Sequence, residues 1–330
     1  MGPTQEDVAK RANVSRALVS LVMRDSPKVS AERRTKVLQA AEELGYRPNA
    51  FARSLASKRV TTIGVLVNDV TNPYFGALYA SLAKAADAAG YDVLTAPGTR
   101  QARREEALVN TLLEHRVAGL ALLSPLMSGP ALKAVCAASP TVVIGRETTI
   151  NQVDVVTTDE NQAAESVIRR LTELGHRDIA HINGGSNGPA RDRASAYRKV
   201  MADFGLAPRE INGAFTEKGG QLGAQALLAS EQLPTAIMAA NDLIAVGVMG
   251  VLRSAGLTIP DDISVVGYDN SQIAQLDLVQ LTSVHQSIEQ FGPAAIEALI
   301  RRIEDPDRLR SVRRIETRLV ERTTLAAART

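Results

Sequence analysis

Cysteine and tryptophan are almost missing from this chain. Among its 330 residues there is one cysteine and no tryptophan. A single thiol, Cys136, cannot form an intrachain disulfide or a cysteine-based zinc site. The four histidines show neither i, i+4 pairing nor a neighbouring thiol, so we expect no metal and no other cofactor.

Long hydrophobic runs are also missing. The longest apolar stretches, such as residues 63–67, are far shorter than a membrane span. The N-terminus lacks a cationic start followed by an apolar stretch and a small-residue cleavage site, so nothing predicts export. With 45% hydrophobic and 22% charged residues, the composition is that of a soluble globular protein. We expect a cytoplasmic location and no membrane partner.

Charge is divided unequally along the chain. Residues 1–60 contain 12 Lys and Arg against 6 Asp and Glu, which leaves 26 against 30 in the remainder. The first segment is therefore +6 and the rest −4. A basic head on an acidic body indicates that the head contacts a polyanion, although a charged solvated surface is the alternative.

The first sixty residues predict short helices. Thr4 is placed to cap a helix over 6–12, Ser15 one over 16–23, and Ser30 one over 31–44 that ends at Gly45. The third helix carries an apolar stripe at helical spacing, formed by Val37, Leu38, Ala41 and Leu44.

From Thr61 onward, apolar strands alternate with amphipathic helices. This pattern predicts an α/β body of parallel sheets covered by helices, and its length favours two lobes. The predicted strands are 62–67, 91–95, 118–123, 141–144, 153–157, 178–182, 235–239 and 262–267. Predicted helices include 74–89, 102–116, 160–174, 190–204, 217–229 and 241–255.

Residues 5–20 have the spacing of a helix-turn-helix. Its apolar members pack together and leave Arg16, Ala17, Ser20 and Leu21 at the outer start of the second helix, where a major-groove reader presents its side chains. A small helical core without a ligand is the alternative.

Several linked motifs resemble the lactose/galactose-repressor (LacI/GalR) family of transcriptional regulators. They occur in the family's order from the head to the last strand, so the resemblance covers nearly the whole chain. The motifs are Asp7–Ser15, Val19–Ser20, Pro27–Ser30, Leu44–Asn49, Ala52–Leu55 and Leu319–Arg322.

The resemblance implies a fold, a set of boundaries and a partner. It predicts a helix-turn-helix headpiece over 1–47, a hinge helix and linker over 48–60, and a body over 61–330 like that of periplasmic binding proteins, with Rossmann-like lobes. The N-lobe would take about 61–159 plus 288–316, and the C-lobe about 160–287 plus 317–330. We expect a homodimer on palindromic double-stranded operator DNA.

DNA contacts follow from the same resemblance. An arginine at 16 can bind guanine bidentately, whereas Ala17 can only touch a thymine methyl group. Leu21 departs from the family's frequent basic residue at a base-reading position. Leu55 would wedge into the minor groove, or else pack against the headpiece. The implied DNA-binding residues are Thr4, Ser15, Arg16, Ala17, Ser20, Leu21, Asn49, Ala52, Arg53 and Leu55.

An effector cleft is predicted in the body. Asn72-Pro73-Tyr74-Phe75 follows the first body strand, where a dinucleotide fold would need the absent GxGxxG. Tyr74 and Phe75 can flank a ligand there or pack under the loop. By resemblance the other cleft positions are Arg146, Asp159, Arg193, Phe215, Asn241, Asp269 and Gln286.

Several cleft positions also have a simpler explanation. Arg193 can pair with a neighbouring acid, Asn241 or Asp269 can cap a helix, and Asp159 is expected mainly to stabilise the helix that follows it. The mixture of donors and acceptors favours a sugar or sugar derivative, with a purine-like ligand as the alternative. The sequence is compatible with an effector that releases a repressor and with one that recruits it.

Two other classes of protein fit parts of the sequence. Residues 184–188 match the hydrolase motif GxSxG around Ser186, with Asp242 or Asp269 and then His285 in the hydrolase order. Catalysis would leave the basic head unexplained, so we expect no enzyme. A solute-binding protein for transport shares the two-lobed body but requires an export signal and no head.

Overall fold

The computed structural model describes residues 2–23, 26–46, 60–185 and 188–329. Two compact units divide the chain, Met1–Thr61 and Thr62–Thr330. Among the described residues, we find no helix with the length and apolarity required to cross a bilayer.

Three helices form the described part of the first unit. They are α1 (Gln5–Ala12), α2 (Arg16–Met23) and α3 (Ala31–Glu43), which confirms the predicted helices. Thr4 caps α1 in a capping box with Asp7, and Asn13 ends it in the left-handed region at φ 52°. Ser30 occupies the N-cap position of α3, but its side chain makes no capping hydrogen bond.

Small apolar side chains fill the core of this unit. Val8, Ala9, Ala12 and Val19 are buried as the helix-turn-helix pattern predicts. The predicted stripe on α3 is wrong at Leu38, which is 48% exposed, because Ala40 instead of Leu38 turns toward the core beside Val37 and Ala41.

The second unit contains two six-stranded sheets. The first, which we call the N-lobe sheet, has the order β11-β5-β4-β3-β1-β2, and the second, the C-lobe sheet, has the order β12-β10-β9-β8-β6-β7. The strands are β1 (Thr62–Val67), β2 (Asp92–Pro97), β3 (Leu120–Leu123), β4 (Thr141–Ile144), β5 (Asp154–Thr158), β6 (Ile179–Ile182), β7 (Arg209–Ile211), β8 (Ala236–Ala239), β9 (Ser264–Asp269), β10 (Thr282–His285), β11 (Val312–Ile315) and β12 (Arg318–Val320).

Within the part of the chain that the structure describes, neighbouring strands are parallel except in one pair. β12 runs antiparallel to β10, with Val284 opposite Leu319. The chain passes from the N-lobe sheet to the C-lobe sheet after β5, returns after β10, and leaves again after β11. Each sheet is thus assembled from segments distant in sequence.

Helices cover both faces of each sheet. Residues 73–88 and 288–304 pack on one face of the N-lobe sheet, and 102–114 and 129–138 on the other. The helices are α4 (Pro73–Ala88), α5 (Ala102–Glu114), α6 (Gly129–Ala138), α7 (Glu160–Glu173), α8 (Gly188–Asp203), α9 (Glu217–Leu228), α10 (Asp242–Ser254) and α11 (Ile288–Glu304), with a 3-10 turn at Gln272–Gln275.

The predicted elements of the body are confirmed to within a few residues at their ends. Helix termini at Gly90, Gly175, Gly205 and Gly256 all have positive φ, as expected for glycine after a helix. Elements not predicted include β7, β11 and α6. β11 reads Val-Arg-Arg-Ile and is an edge strand, so it lacks the continuous apolar run of the central strands.

Candidate functional site

The outer start of α2 is exposed. Ser15, Arg16 and Ala17 all face solvent, and Ser15 Oγ accepts a hydrogen bond of 3.2 Å from the Leu18 amide. The hydroxyl therefore stabilises the first turn that presents Arg16 and Ala17. No described side chain covers this end of the helix, and the helix dipole adds positive potential there.

Leu21 and Ser20 lie deeper. Both are half-buried, and Leu21 packs against the core of the headpiece. Thr4 is exposed but holds Asp7, with Thr4 Oγ1 donating to Asp7 Oδ2 at 2.7 Å. The predicted hinge residues Asn49, Ala52, Arg53 and Leu55 lie outside the described residues.

A cleft opens in the second unit at the carboxyl ends of the strands of both sheets. It encloses about 740 Å³ of empty space, including its mouth. Ligands of open α/β sheets bind at this edge. Seven of the nine predicted cleft positions line the cleft: Tyr74, Phe75, Arg193, Phe215, Asn241, Asp269 and Gln286.

Two aromatic side chains begin α4 and form one wall. Asn72 caps this helix by accepting from the Tyr74 amide at 3.0 Å, and Pro73 occupies its first turn. The rings of Tyr74 and Phe75 meet edge to face with centroids 5.2 Å apart. Both are also part of the N-lobe core, so packing and lining coexist.

Phe215 forms the facing wall from the C-lobe. Its ring lies directly on Gly184, where a Cβ atom would overlap the ring. The Phe215 carbonyl accepts from Arg100 Nη1 at 3.4 Å, which joins the two lobes at the cleft.

Arg193 is neutralised within the chain. Its Nε and Nη2 donate to the two carboxylate oxygens of Glu160 at 3.0 and 3.1 Å, and Nη1 donates to the Ala240 carbonyl. The guanidinium also stacks 3.4 Å from the centroid of the Tyr268 ring. The salt bridge considered as an alternative for Arg193 is therefore present, and Arg193 lines the cleft as one half of an ion pair.

A chain of hydrogen bonds crosses the back of the cleft. The Tyr74 hydroxyl donates to Gln286 Oε1 at 3.3 Å, and Gln286 Nε2 donates to Asp269 Oδ1 at 2.6 Å. Asp269 ends β9 at φ 113°, an uncommon conformation for a residue with a side chain. Asn241 caps α10 by accepting from the Ile244 amide at 2.9 Å while it also lines the cleft.

Arg146 and Asp159 do not line the cleft. Arg146 Nη1 donates to the carbonyls of Pro125 and Met127 at 2.7 and 2.8 Å, so it fastens a loop of the N-lobe. Asp159 caps α7 by accepting from two amides of its first turn, as predicted for it.

Several lining residues were not predicted. Asn68, Ser124, Gly145 and Thr158 stand at the ends of β1, β3, β4 and β5. The rule that ligands bind beyond the carboxyl ends of parallel strands, applied to each predicted strand, would have found all four. The other unpredicted lining residues are Asp69, Asn72, Arg100, Leu126, Glu160 and Pro189.

The acids that the hydrolase alternative requires, Asp242 and Asp269, do not pair with the side chain of His285. The His285 ring contacts Asn270 at 3.1 Å and Glu289 at 3.7 Å, not Asp242 or Asp269. Ser186 lies outside the described residues.

Comparisons with known proteins agree with this geometry. Residues 4–49 match the family described as bacterial regulatory proteins, lacI family, and residues 168–325 match a periplasmic binding protein-like domain. Catabolite control protein A of Priestia megaterium is 32% identical, with 91% of this chain and 92% of the relative covered. The ribose operon repressor of Escherichia coli K12 is 33% identical, with 92% and 94% covered.

A solved structure of similar fold is the lac repressor dimer bound to operator and the anti-inducer ONPF. It has a TM-score of 0.89 and 27% identity, with 99% of this chain and 100% of that chain covered. A helix-turn-helix head in one chain with a two-lobed, cleft-bearing body defines an effector-regulated transcriptional regulator. The chain belongs to the lacI family of bacterial regulatory proteins.

Proposed function

We propose that this protein is a homodimeric repressor that binds palindromic operator DNA and responds to a sugar or sugar derivative in the cleft of its body. The observation that carries the first part is the exposed start of α2, with Arg16 and Ala17 free to meet base edges. A DNA-binding regulator of this kind acts in the cytoplasm, where the bacterial chromosome lies.

The effector assignment rests on the chemistry of the cleft. Phe215 and Phe75 provide apolar faces, while Asn241, Asp269 and Gln286 provide polar atoms that can meet hydroxyl groups. Among similar solved structures, one is described as a CelR–cellobiose complex and another as a family member with bound ribose. These ligands support a carbohydrate over a purine.

A second copy of the chain is the partner that palindromic DNA requires. Leu276 and Leu278, between the 3-10 turn and β10, are 55% and 89% exposed. A second copy that packed on this segment would remove both leucines from water, and we propose that it forms part of the dimer interface.

Selection from random duplex DNA by the full-length protein tests the proposal. We expect a recovered palindrome and a change in its binding when pooled sugars are added. No preference for any palindrome over scrambled duplex, with or without the pools, contradicts the function.

Substituting the exposed arginine of the head sharpens this test. Arg16→Ala is expected to weaken binding to the recovered site by about 1–3 kcal/mol and to relax the preference at one base pair in each half-site. Arg103→Ala removes the same charge from an exposed position on α5 and should leave both properties unchanged. If Arg16→Ala instead weakened binding to all DNA sequences equally, Arg16 would contact a phosphate and not a base.

A further inference from the structure

Two carboxyl groups lie buried at neighbouring strand ends in the C-lobe. Asp269 ends β9, and Asp242 begins α10 just beyond β8. Asp242 is 1% exposed and Asp269 is 5% exposed. The negative charge of Asp242 disfavours ionisation of Asp269, so the two groups do not ionise independently.

The hydrogen bonds to the two carboxyls are unequal. Asp242 accepts three: from the Ser271 amide at 2.7 Å, the Ser271 hydroxyl at 2.8 Å and the Ser283 hydroxyl at 2.6 Å. Asp269 accepts one, from Gln286. Hydrogen-bond donors stabilise the ionised form, so the negative charge of the pair belongs on Asp242.

Burial raises the pKa of both groups. The pKa of Asp242 rises to about 6 because burial outweighs its serine donors. At Asp269, burial and then the charge of Asp242 raise the pKa well above its ordinary value.

The surrounding cations do not supply a counter-ion to Asp269. Arg193 lowers the pKa of Asp269, but its guanidinium is bound to Glu160, whose charge acts in the opposite direction. Arg322, beyond β12, faces Asp242 and donates to the Leu281 carbonyl and to Asn270. Among the described residues, Asp269 forms no salt bridge within 4 Å.

Tyr74 and His285, the two other titratable side chains beside Asp269, supply no counter-charge to it. Tyr74, at the start of α4, has a pKa raised by burial and donates its proton to Gln286. His285 pairs with Asp269 in the register of β9 and β10, and burial lowers the pKa of its imidazole. At the mouth, Arg100 is 3.9 Å from Asp69, so each cation that lines the cleft has an acid beside it.

We propose that Asp269 is a neutral carboxylic acid at physiological pH and donates a hydrogen bond into the cleft from Oδ2, the oxygen that Gln286 does not contact. This inference rests on the proposed function. With Asp269 uncharged, the charges that line the cleft balance in pairs, Arg193 with Glu160 and Arg100 with Asp69. Such a cleft selects an uncharged ligand that places an acceptor oxygen at Asp269, and it disfavours a phosphorylated or carboxylated one. Asp269 is then a specificity-determining donor.

Asparagine at 269 mimics the neutral acid in shape and charge, so Asp269→Asn tests the proposal in the full-length protein without a ligand. A carboxyl that is protonated when folded and ionised when unfolded destabilises the fold increasingly as pH rises above its unfolded pKa. We therefore expect the free energy of unfolding of Asp269→Asn, relative to that of wild type, to increase with pH. Urea unfolding between about pH 5 and about pH 8 measures this difference. A relative stability that stays constant or decreases with pH means that Asp269 is already ionised in the folded protein, and it overturns the proposal.

Infrared difference spectra give a second readout that does not depend on stability. Wild type minus Asp269→Asn at neutral pH should show the carbonyl band of a protonated carboxyl, whereas a carboxylate band pair overturns the proposal. Because neither measurement uses a ligand or DNA, their failure leaves the proposed function intact, and failure of the DNA selection leaves the protonation of Asp269 intact. An operator response to phosphorylated sugars alone would overturn the argument from charge balance.

Discussion

His181 shows how one buried side chain makes stability depend on pH. It is fully buried in β6, its ring stacks on Tyr197 at 4.9 Å, and Nδ1 contacts the Met238 carbonyl at 2.8 Å. A carbonyl only accepts, so Nδ1 carries the proton. Nε2 has no hydrogen-bond partner among the described residues, so protonating it would bury an uncompensated charge.

Burial lowers the pKa of His181 from 6.5 to about 4. The folded protein therefore binds this proton less readily than the unfolded chain. The contribution of His181 to the free energy of unfolding is fully present above about pH 6.5. It decreases as the pH falls toward 4, by about 3 kcal/mol in all.

Urea unfolding over this pH range measures the effect. We expect the free energy of unfolding of wild type to decline with acid more steeply than that of His181→Gln, which has no imidazole to protonate. Equal slopes for the two proteins would show that His181 is not the group responsible.

The contact between α9 and α10 positions one side of the cleft. Gly220 lies against the backbone of Ile244, and Gly247 against the Glu217 carbonyl, so neither position has room for a Cβ atom. Because α10 begins at Asn241 and Asp242, the spacing of these two helices fixes where both side chains stand.

Gly247→Ala is therefore expected to destabilise the protein by about 1–3 kcal/mol, although alanine favours helix over glycine. Gly250→Ala, in the same helix at a position where an added Cβ atom meets nothing within 4 Å, should instead stabilise the protein by up to about 1 kcal/mol. Thermal unfolding of the two variants measures this difference in stability. Stabilisation by both substitutions would mean that helix propensity outweighs packing.

Most elements follow from local patterns, whereas several details of the cleft do not. The central strands are continuous apolar runs, and their helices carry clear stripes, so periodicity suffices to place them. The edge strands β7 and β11 are short and partly polar because one side of each faces solvent. Their pairing is decided by distant strands that no local window contains.

Contacts between distant residues also explain the errors in the site. The family resemblance places Arg146 in the cleft, but the carbonyls of Pro125 and Met127 bind its guanidinium instead. The partner of Arg193 is Glu160, 33 residues away, and only the packing of α7 on α8 brings them together. Residue type and strand end predict where a cleft lies, while charge compensation within it depends on the fold.

At the scale of the whole molecule, the proposed dimer can be separated from the fold of each copy. Leu278 and Leu309 are both 89% exposed, the first in the C-lobe and the second beside edge strand β11. Neither supports the core, so substitution should leave each copy folded.

Leu278→Asp is expected to shift the sedimentation equilibrium toward monomer and to make operator binding depend steeply on protein concentration, because charges must be buried on pairing. Leu309→Asp is the matched control and should sediment like wild type. Unchanged association of Leu278→Asp would remove this segment from the proposed interface.

The three passages of the chain between the sheets constrain when the body can fold during synthesis. The N-lobe sheet lacks an edge until Val312–Ile315 has been made, and α11 must also emerge before Phe291 and Leu299 can complete the core beneath it. The C-lobe sheet waits for Arg318–Val320. Neither lobe can therefore mature on the ribosome ahead of the other. The three helices of the headpiece all lie within residues 5–43 and can form while the rest is still being translated.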